Sequence, residues 1–418
     1  MQYMLSVTGI RPHFLFLLFL LITPLLTTGC STIKAISMMR GGSTEQGTLL
    51  RDEPVEAGKI FHLMTVKVRI NGSAEALNFM VDTAAYTVID EQVAKKITFK
   101  DSVQVESRDI AGNKKDVRVV QVGRISVGNV HVSDCAAMIV NLKKLSPKLD
   151  GILGSNFLKY FKVQLDYPNS RLTFMHNTGT QTNNDTNPIP MWLSMKAGFA
   201  PTMKCDIDSV VTVDCVLDTG HPSIASIPSS VIDELPHFKS GEFITSIGSM
   251  GEGAFGNIRE SQLVKTDKIT LGSLSIKNIT ADTNHSGMMT LGYEYLKNFL
   301  VTIDYPNSLL YLKPYLGHKV DNTMLSFGFG INKEQEKTIV SGLWKGGSAD
   351  KAGISVGDEL VSLNGAKTID IAFFDIAEVL KATESLNVSY IKKSTGTNIE
   401  TTLYKTDLTL LLPSSPNK

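Results

Sequence analysis

An internal repeat restricts the fold of this chain more than any other feature of its sequence. The pentapeptide Asp-Tyr-Pro-Asn-Ser occurs at residues 166–170 and again at 304–308, which is 138 residues later. Two further pairs keep this spacing to within two residues: Gly154 with Gly292, and Asp82 with Asp218. Because unrelated segments would not share one offset, the sequence predicts two copies of a single fold.

Each copy shows the pattern of short strands. In the first copy, residues 64–70 alternate between apolar and polar, Asn71 and Gly72 form a hairpin signal, and residues 77–81 return as a second strand. In the second copy, residues 210–217 form the corresponding apolar run. Both runs end at one of the repeated aspartates. Since few helical patterns interrupt the strands, we expect two mostly-β lobes.

The two aspartates suggest paired carboxylate chemistry. Two carboxylates a few ångströms apart cannot both ionise at modest cost, so Asp82 and Asp218 would share one proton. The ionised member would take a proton from a water molecule, and the protonated member would polarise a peptide carbonyl. The hydroxyls of Thr83 and Thr219 would each reach the facing loop and fix the geometry of the pair.

Small residues surround each aspartate. Ala84 and Gly220 would let the two loops approach each other, while Gly154 and Gly292 would pack beneath them. Two Gly-rich segments are candidate flaps over a substrate: residues 111–113 and 248–253. For residues 111–113, an exposed hairpin tip is an equal alternative.

Residues 58–315 resemble the bacterial retropepsin-like aspartic peptidases that carry two fused lobes. The resemblance rests on the repeated Asp-Thr-Gly/Ala segments and on the apolar-apolar-Gly segments at Gly154 and Gly292. It implies a fold of two duplicated β lobes and endopeptidase activity on extended peptides. It also implies that Asp82 and Asp218 are the catalytic pair.

The first lobe departs from the family pattern. Ala84 stands where glycine is usual, so its methyl group would either crowd the loop contact or be tolerated at negative φ. The position after the motif is Ala85 in one lobe and His221 in the other, whereas a serine there favours the charged aspartate. We therefore expect an activity maximum at mildly acidic or near-neutral pH.

The C-terminal region resembles a PDZ domain, an α+β module. The resemblance rests on residues 348–354, 357–360 and 364–365, and an amphipathic helix is expected around 372–382. It implies that a loop receives the carboxylate of a C-terminal peptide through backbone N–H groups. The loop residues would be Gly328, Phe329, Gly330 and Ile331. A domain used only for intramolecular packing is the alternative.

The N-terminal sequence predicts that the protein is exported from the cytoplasm. Residues 14–26 form an apolar run of signal-peptide length, and a short segment of small residues leads into Cys30, as in a bacterial lipobox. Lipid on Cys30 would anchor the protein to a membrane. Since Ser31 follows the cysteine, an outer-membrane lipoprotein facing the periplasm is the predicted location in the cell envelope. A plain secretory signal is the alternative.

Composition narrows the partners. The net charge is zero and no basic stripe is present, so nucleic acid is not an expected partner. No metal-ligand spacing or cofactor motif is found, which predicts no metal and no cofactor. Cys205 and Cys215 flank a probable hairpin and would form either a cross-strand disulfide or two free thiols.

Three functional interpretations remain open from the sequence: an endopeptidase, a narrow processing peptidase whose PDZ domain selects one partner, and a catalytically inactive peptide-binding lipoprotein scaffold. A swapped dimer would also pair Asp82 with a neighbour's Asp218. The predicted boundaries are a signal peptide at 1–29, a tether at 30–57, lobe 1 at 58–176, a linker at 177–190, lobe 2 at 191–315, a linker at 316–323, a PDZ domain at 324–408 and a tail at 409–418.

Overall fold

The computed structural model describes most of the chain, and β-strands dominate it. The described residues are 29–45, 49, 51–108, 113–176, 187–195, 198–251, 260–317 and 320–413. The helices are short: α1 (residues 29–40), α2 (Glu91–Ala94), α3 (Ser155–Leu158), α4 (Pro236–Lys239), α5 (Tyr293–Leu296), α6 (Ser348–Lys351) and α7 (Phe373–Ala382). Single 3-10 turns lie at Ile232–Glu234, Thr368–Asp370 and Leu408–Leu411. Within the described residues, no helix has the length and apolar content needed to span a membrane.

The first lobe is built on an eight-stranded sheet. Its strands are β2 (Gly58–Ile60), β3 (Leu63–Ile70), β4 (Leu77–Asp82), β5 (Val88–Asp90), β6 (Asp101–Arg108), β7 (Lys114–Val127), β8 (Val130–Val140) and β9 (Gly151–Gly154). The order in the sheet is β2-β3-β4-β9-β5-β8-β7-β6. Asn71 and Gly72 both have positive φ, as the tight turn between β3 and β4 requires. β4 pairs with β9 in parallel and places Asp82 beside Gly154.

The second lobe repeats this sheet. Its strands are β13 (Trp192–Ser194), β14 (Ala200–Ile207), β15 (Val211–Leu217), β16 (Ala225–Pro228), β17 (Phe243–Gly248), β18 (Gln262–Leu271), β19 (Leu274–Asn284) and β20 (Met289–Leu291). The order β13-β14-β15-β20-β16-β19-β18-β17 matches that of the first lobe strand for strand. β15 pairs with β20 in parallel, so Asp218 follows the same kind of strand as Asp82. The duplication in the sequence is therefore a duplication of topology.

A six-stranded sheet joins the two lobes. Its strands are β1 (Glu53–Glu56), β10 (Lys162–Asp166), β11 (Arg171–Met175), β12 (Ile189–Pro190), β21 (Phe299–Asp304) and β22 (Leu309–Pro314), in the order β1-β11-β10-β21-β22-β12. The Asp-Tyr-Pro-Asn-Ser repeats form its two hairpin turns, where Asp166 accepts from Asn169 and Asp304 accepts from Asn307. At the lobe junction, the buried Lys162 Nζ lies 3.5 Å from Asp304 Oδ2.

The C-terminal unit has a hydrophobic core of its own and a sheet that continues that of the second lobe. Its strands are β23 (Leu325–Ser326), β24 (Phe329–Glu334), β25 (Lys337–Trp344), β26 (Glu359–Leu363), β27 (Ala366–Lys367), β28 (Ser385–Ile391), β29 (Asn398–Tyr404) and β30 (Thr406–Asp407). Helix α7, expected around 372–382, packs Ile376 against Val340, Leu360 and Val388. This sheet is continuous with that of the second lobe, because β17 pairs with β25 at Ser246–Trp344 and Ile247–Leu343.

The predicted tether at 30–57 is wrong. Helix α1 buries Ala35, Met38 and Met39 against Val119 and Ala136 of the first lobe. These three side chains lie at i, i+3 and i+4 and form an apolar stripe, which is why the segment docks. Further along, β1 pairs with β11 in the sheet that joins the lobes.

Two other predicted boundaries also shift. Of the predicted linker at 177–190, residues 177–186 lie outside the described residues, but Ile189 and Pro190 form a strand that pairs with β22. The predicted tail at 409–418 is partly docked, since Leu412 is buried with Trp344 and Leu263. The polar residues of both segments indicated loops. In the structure, burial of one apolar side chain in each segment, Ile189 and Leu412, docks part of it on the fold.

The cysteines are free thiols. Cys205 lies opposite Val213 and Cys215 lies opposite Met203 on the adjacent strand, so the two thiols are diagonal neighbours that interact without a disulfide. Both thiols and that of Cys135 are buried, while Cys30 is exposed. Between the two alternatives for Cys205 and Cys215, the structure has buried free thiols. The predicted signal peptide lies almost wholly outside the described residues.

Candidate active site

The ends of β4 and β15 bring Asp82 and Asp218 together between the lobes. A Cβ atom placed on Gly220 would lie 2.6 Å from Asp82 Oδ2 and 3.2 Å from Asp218 Oδ1. Gly220 therefore sits against both carboxylates, and only a residue without a side chain fits there. Both aspartates are half-buried.

Two threonines lock the loops to each other by reciprocal hydrogen bonds. Thr83 N donates to Thr219 Oγ1 at 3.1 Å, and Thr219 N donates to Thr83 Oγ1 at 3.1 Å. Each hydroxyl then donates across the junction, Thr83 to Leu217 O at 2.6 Å and Thr219 to Val81 O at 2.9 Å. Both threonines are buried, so these four bonds hold the carboxylates in one relative position.

Backbone amides of each aspartate's own loop donate to its carboxylate. Asp82 Oδ1 accepts from Ala84 N at 2.9 Å. Asp218 Oδ1 accepts from Gly220 N at 2.8 Å and from His221 N at 3.1 Å. Ala84 does not have positive φ, so its methyl group is accommodated without backbone strain. The sequence left two possibilities for the Ala84 methyl group, crowding of the loop contact or tolerance at negative φ, and the loop geometry matches the second.

The electrostatics of the two carboxyls differ. Burial raises the pKa of Asp82 above its ordinary value, and its backbone hydrogen bonds offset part of that rise. Burial also raises the pKa of Asp218, and the negative charge of Asp82 raises it further. The arrangement therefore favours one proton shared by the pair.

The apolar-apolar-Gly segments lie directly behind the loops. A Cβ atom on Gly154 would collide with Ala85 O, and one on Gly292 would collide with Ser223 O and lie 2.6 Å from His221 O. Only glycine allows this approach, which matches the packing expected from the sequence. Ser155 N and Tyr293 N, the next residues, donate to Ala85 O and His221 O.

Two tyrosines of the repeated pentapeptide support the loops from below, and no sequence pattern had indicated a role for them. Tyr305 OH lies 3.1 Å from Ser155 Oγ, which donates to Thr83 O at 2.7 Å. In the other half, Tyr167 packs edge-on against Tyr293, and its hydroxyl has no hydrogen-bond partner among the described residues. Each tyrosine comes from the opposite lobe, so only the repeat itself could have drawn attention to them.

His62 is a further residue that sequence reasoning missed. It lies in the turn between β2 and β3, is 4% exposed, and places Nε2 3.1 Å from Gly220 O. His221 belongs to the loop itself: its Nε2 lies 3.9 Å from Asp282 Oδ2, and burial lowers the pKa of this imidazole. No local pattern marked His62, because its partner is 158 residues away.

The predicted flaps are described only at their bases. Residues 111, 112, 252 and 253 lie outside the described residues. The base of the second segment is held by the C-terminal unit, because Ser249 N donates to Ser341 O at 2.8 Å and Ser341 Oγ donates to Ser249 O at 2.8 Å. A Cβ atom on Gly330 would lie 2.7 Å from Ser249 O, so β24 touches the same segment.

The predicted carboxylate loop lies at the start of β24. Gly328 has φ +83, its N–H donates to Ser326 Oγ at 3.0 Å, and its carbonyl accepts from Trp344 N at 2.9 Å. Within the described part of the chain, β24 pairs with β25 only. Its second edge therefore keeps the backbone groups that an added peptide strand uses.

Comparison with known proteins identifies two domains. Residues 66–157 match the family model described as aspartyl protease, and residues 320–389 match the PDZ domain model. The chain contains an aspartyl-protease domain and a C-terminal PDZ domain. The predicted fold class, mostly β with aspartic-peptidase-like lobes and a PDZ domain, is confirmed.

Two solved structures are similar at low identity. Basic 7S globulin from soybean is 12% identical with a TM-score of 0.39, and the match covers 63% of this chain and 94% of that chain. The protein edgp is 11% identical with a TM-score of 0.39, and the match covers 64% of this chain and 95% of that chain.

The candidate site is made of carboxylates, hydroxyls and backbone amides. Among the described residues, no group of three or more His, Cys, Asp or Glu side chains is placed to hold a metal ion. What the site offers chemically is a half-buried, hydrogen-bonded carboxyl pair with raised pKa values, which is suited to acid–base activation of water.

Proposed function

We propose that the protein is an aspartic endopeptidase that hydrolyses peptide bonds with Asp82 and Asp218. The observation that carries this proposal is the reciprocal Thr83–Thr219 interlock, which places two carboxylates with raised pKa values on either side of Gly220. A fold that had only kept its shape would have no need to hold two half-buried carboxylates against each other.

In the proposed reaction, ionised Asp82 takes a proton from water as the water oxygen bonds to the peptide carbonyl carbon. Protonated Asp218 gives its proton to the carbonyl oxygen. The C–N bond of the resulting tetrahedral species then breaks, and the proton held by Asp82 passes to the leaving amine. Asp218 recovers its proton as the carbonyl re-forms, so the pair ends with one proton, as it began.

The PDZ domain, a peptide-binding module, would present substrate chains. We assign peptide carboxylates to residues 328–331, with the peptide adding as a strand to the second edge of β24. Because the base of the 248–253 segment pairs with β25, a chain held there would be close to the segment that the sequence predicts as a flap.

Lipid on Cys30 would complete this arrangement. The thiol of Cys30 is exposed, and helix α1 is already docked at Ala35. An anchor at Cys30 would therefore hold the peptidase close to the membrane surface, and the predicted site of action is the periplasmic side of the outer membrane. Metabolic labelling with an alkyne fatty acid, compared between the natural chain and Cys30→Ser, tests this part; equal labelling would contradict it.

The peptidase proposal is tested by incubating the purified chain with a mixed peptide library. We expect cleavage by the natural chain, loss of cleavage in Asp82→Asn and Asp218→Asn, and full cleavage by Asp233→Asn, which changes an exposed aspartate of the second lobe. A folded chain that binds C-terminal peptides and cleaves none of the library would instead support a non-catalytic scaffold.

A further inference from the structure

One turn of the chain contacts both the PDZ domain and the loop of Asp218. Phe61 N donates to Glu378 Oε1 at 2.6 Å, and the Phe61 ring stacks on Phe374 with centroids 6.4 Å apart. Glu378 and Phe374 both belong to helix α7 of the PDZ domain. The next residue, His62, reaches in the opposite direction to Gly220 O. Two consecutive residues therefore connect α7 to the catalytic loop.

The direction of the His62 hydrogen bond follows from its partner. A carbonyl oxygen only accepts, so Nε2 carries the hydrogen and donates to Gly220 O. Burial lowers the pKa of His62 to about 4, which keeps the imidazole neutral near pH 7 and leaves Nδ1 without a hydrogen. Within the described residues Nδ1 has no hydrogen-bond partner. An imidazole with one unpaired nitrogen is costly to bury. The presence of His62 at this position, and its bond to Gly220, therefore need a functional explanation.

Gly220 is the residue that this bond controls. Its N–H donates to Asp218 Oδ1 at 2.8 Å, and its Cα lies close to both catalytic carboxylates. With its carbonyl held by His62, both polar groups of Gly220 are fixed. A shift of this carbonyl would turn the peptide group that positions Asp218.

Within the described residues, the first aspartate loop lacks an equivalent imidazole contact. The two lobes can be aligned through the strands that deliver the aspartates. Thr65 pairs with Met80, two residues before Asp82, and Thr202 pairs with Val216, two residues before Asp218, so the two threonines occupy equivalent positions. His62 and Phe199 each lie three residues before these threonines and are therefore equivalent. The side chain of Phe199 has no hydrogen-bonding group, and its turn packs on the first loop instead, since a Cβ atom on Gly198 would lie 3.0 Å from Ala85 C. Among the described residues, the imidazole contact is therefore found at the loop of Asp218 alone.

We propose that His62 is a positioning residue that holds Gly220 and Asp218, and that the docking of α7 on Phe61 determines where His62 sits. The kinetic part of the inference rests on the proposed peptidase function, and the structural part does not. A change in the placement of α7 would reach the catalytic pair through this turn. The PDZ domain is then a positional control on the active site as well as a peptide-binding module.

The first test replaces the imidazole. His62→Leu removes the donor, and His62→Gln retains an N–H group of similar reach. We expect His62→Leu to lower kcat about fivefold to tenfold with KM nearly unchanged, because one hydrogen bond to the loop is lost and substrate contacts are not. His62→Gln should recover part of kcat. Hydrogen exchange followed by mass spectrometry should show faster exchange across residues 217–224 in His62→Leu.

The second test releases the turn from the PDZ side. Glu378→Ala removes the acceptor of Phe61 N, and we expect faster exchange at residues 217–224 although Glu378 itself does not contact that loop. Asp375→Asn is the matched control on the same helix, since Asp375 pairs with Lys148 at 3.8 Å and not with the turn. It should leave exchange at residues 217–224 unchanged.

The outcomes separate the two proposals. If the natural chain does not cleave peptides, the peptidase function fails, and the exchange measurements still decide whether His62 and Glu378 control the loop. Equal exchange at residues 217–224 in the natural chain, His62→Leu and Glu378→Ala would overturn the inference, whatever the activity. If His62→Leu does not fold, His62→Gln and Glu378→Ala carry the same comparison.

Discussion

The loops of Asp82 and Asp218 share one framework and differ in what surrounds it. The threonine interlock is the same on both sides, bond for bond. Around the interlock, equivalent positions hold different residues: Ala84 in the first lobe corresponds to Gly220 in the second, and Ser155 corresponds to Tyr293. The comparison teaches that the symmetric part fixes the distance between the carboxylates. The asymmetric part gives the two loops different residues beside and behind the carboxylates.

The largest expected difference between the loops comes from adding a methyl group to Gly220. In Gly220→Ala, the new Cβ would lie 2.6 Å from Asp82 Oδ2 and would push that carboxylate out of place. We expect kcat/KM to fall at least about 100-fold, since displacement of a reacting group by about 1 Å costs that much. The melting temperature, measured beside it, should change little. A fully active Gly220→Ala would show that the carboxylates are not held where we describe them.

The interlock should respond equally from both sides. Thr83→Val and Thr219→Val each leave one buried amide and one buried carbonyl without a partner. Each should lower the free energy of unfolding by about 2 kcal/mol in urea denaturation. Thr→Ser at either position keeps the hydroxyl and is the control. Clearly unequal losses would mean that the framework is not symmetric.

The supporting tyrosines should differ by a smaller amount. Tyr305→Phe removes a hydroxyl that bonds to Ser155 Oγ, and we expect a loss of about 1 kcal/mol in the free energy of unfolding. Tyr167→Phe removes a hydroxyl that has no partner among the described residues and should be neutral or slightly stabilising. Equal effects would show that Tyr305 and Tyr167 play the same part.

The smallest expected effect is that of Ala84→Gly. Because Ala84 lies outside the positive-φ region and its amide already donates to Asp82, removing its methyl group relieves no strain. We expect kcat/KM to stay within about threefold, a range of roughly 0.6 kcal/mol. A gain of tenfold or more would show that the methyl group restrains the loop after all.

Much of the fold was predictable because it is encoded locally and then repeated. The strand that delivers Asp82 and the Asn71-Gly72 turn are short-range patterns, and the 136–138-residue offset joined them to a second copy. Helix α1 was not predicted, although Ala35, Met38 and Met39 form an apolar stripe at helical spacing. Short apolar stripes are weak signals when no neighbouring surface is known.

The remaining features depend on contacts between distant segments. His62 reaches Gly220 over 158 residues, and Ser155 meets Tyr305 over 150. The pairing of β17 with β25 joins two domains through backbone groups, which every residue has. No composition or spacing distinguishes such partners, so only the folded arrangement identifies them.

The most direct test of the central claim is the pH dependence of kcat/KM on a cleaved peptide. A pair that shares one proton loses its base as pH falls through the lower pKa, and its acid as pH rises through the upper pKa. Because burial raises both pKa values and the charge of Asp82 raises that of Asp218 further, we predict a bell-shaped profile. Its maximum should lie clearly above the ordinary aspartate pKa of about 4. A maximum at or below that value would contradict the account.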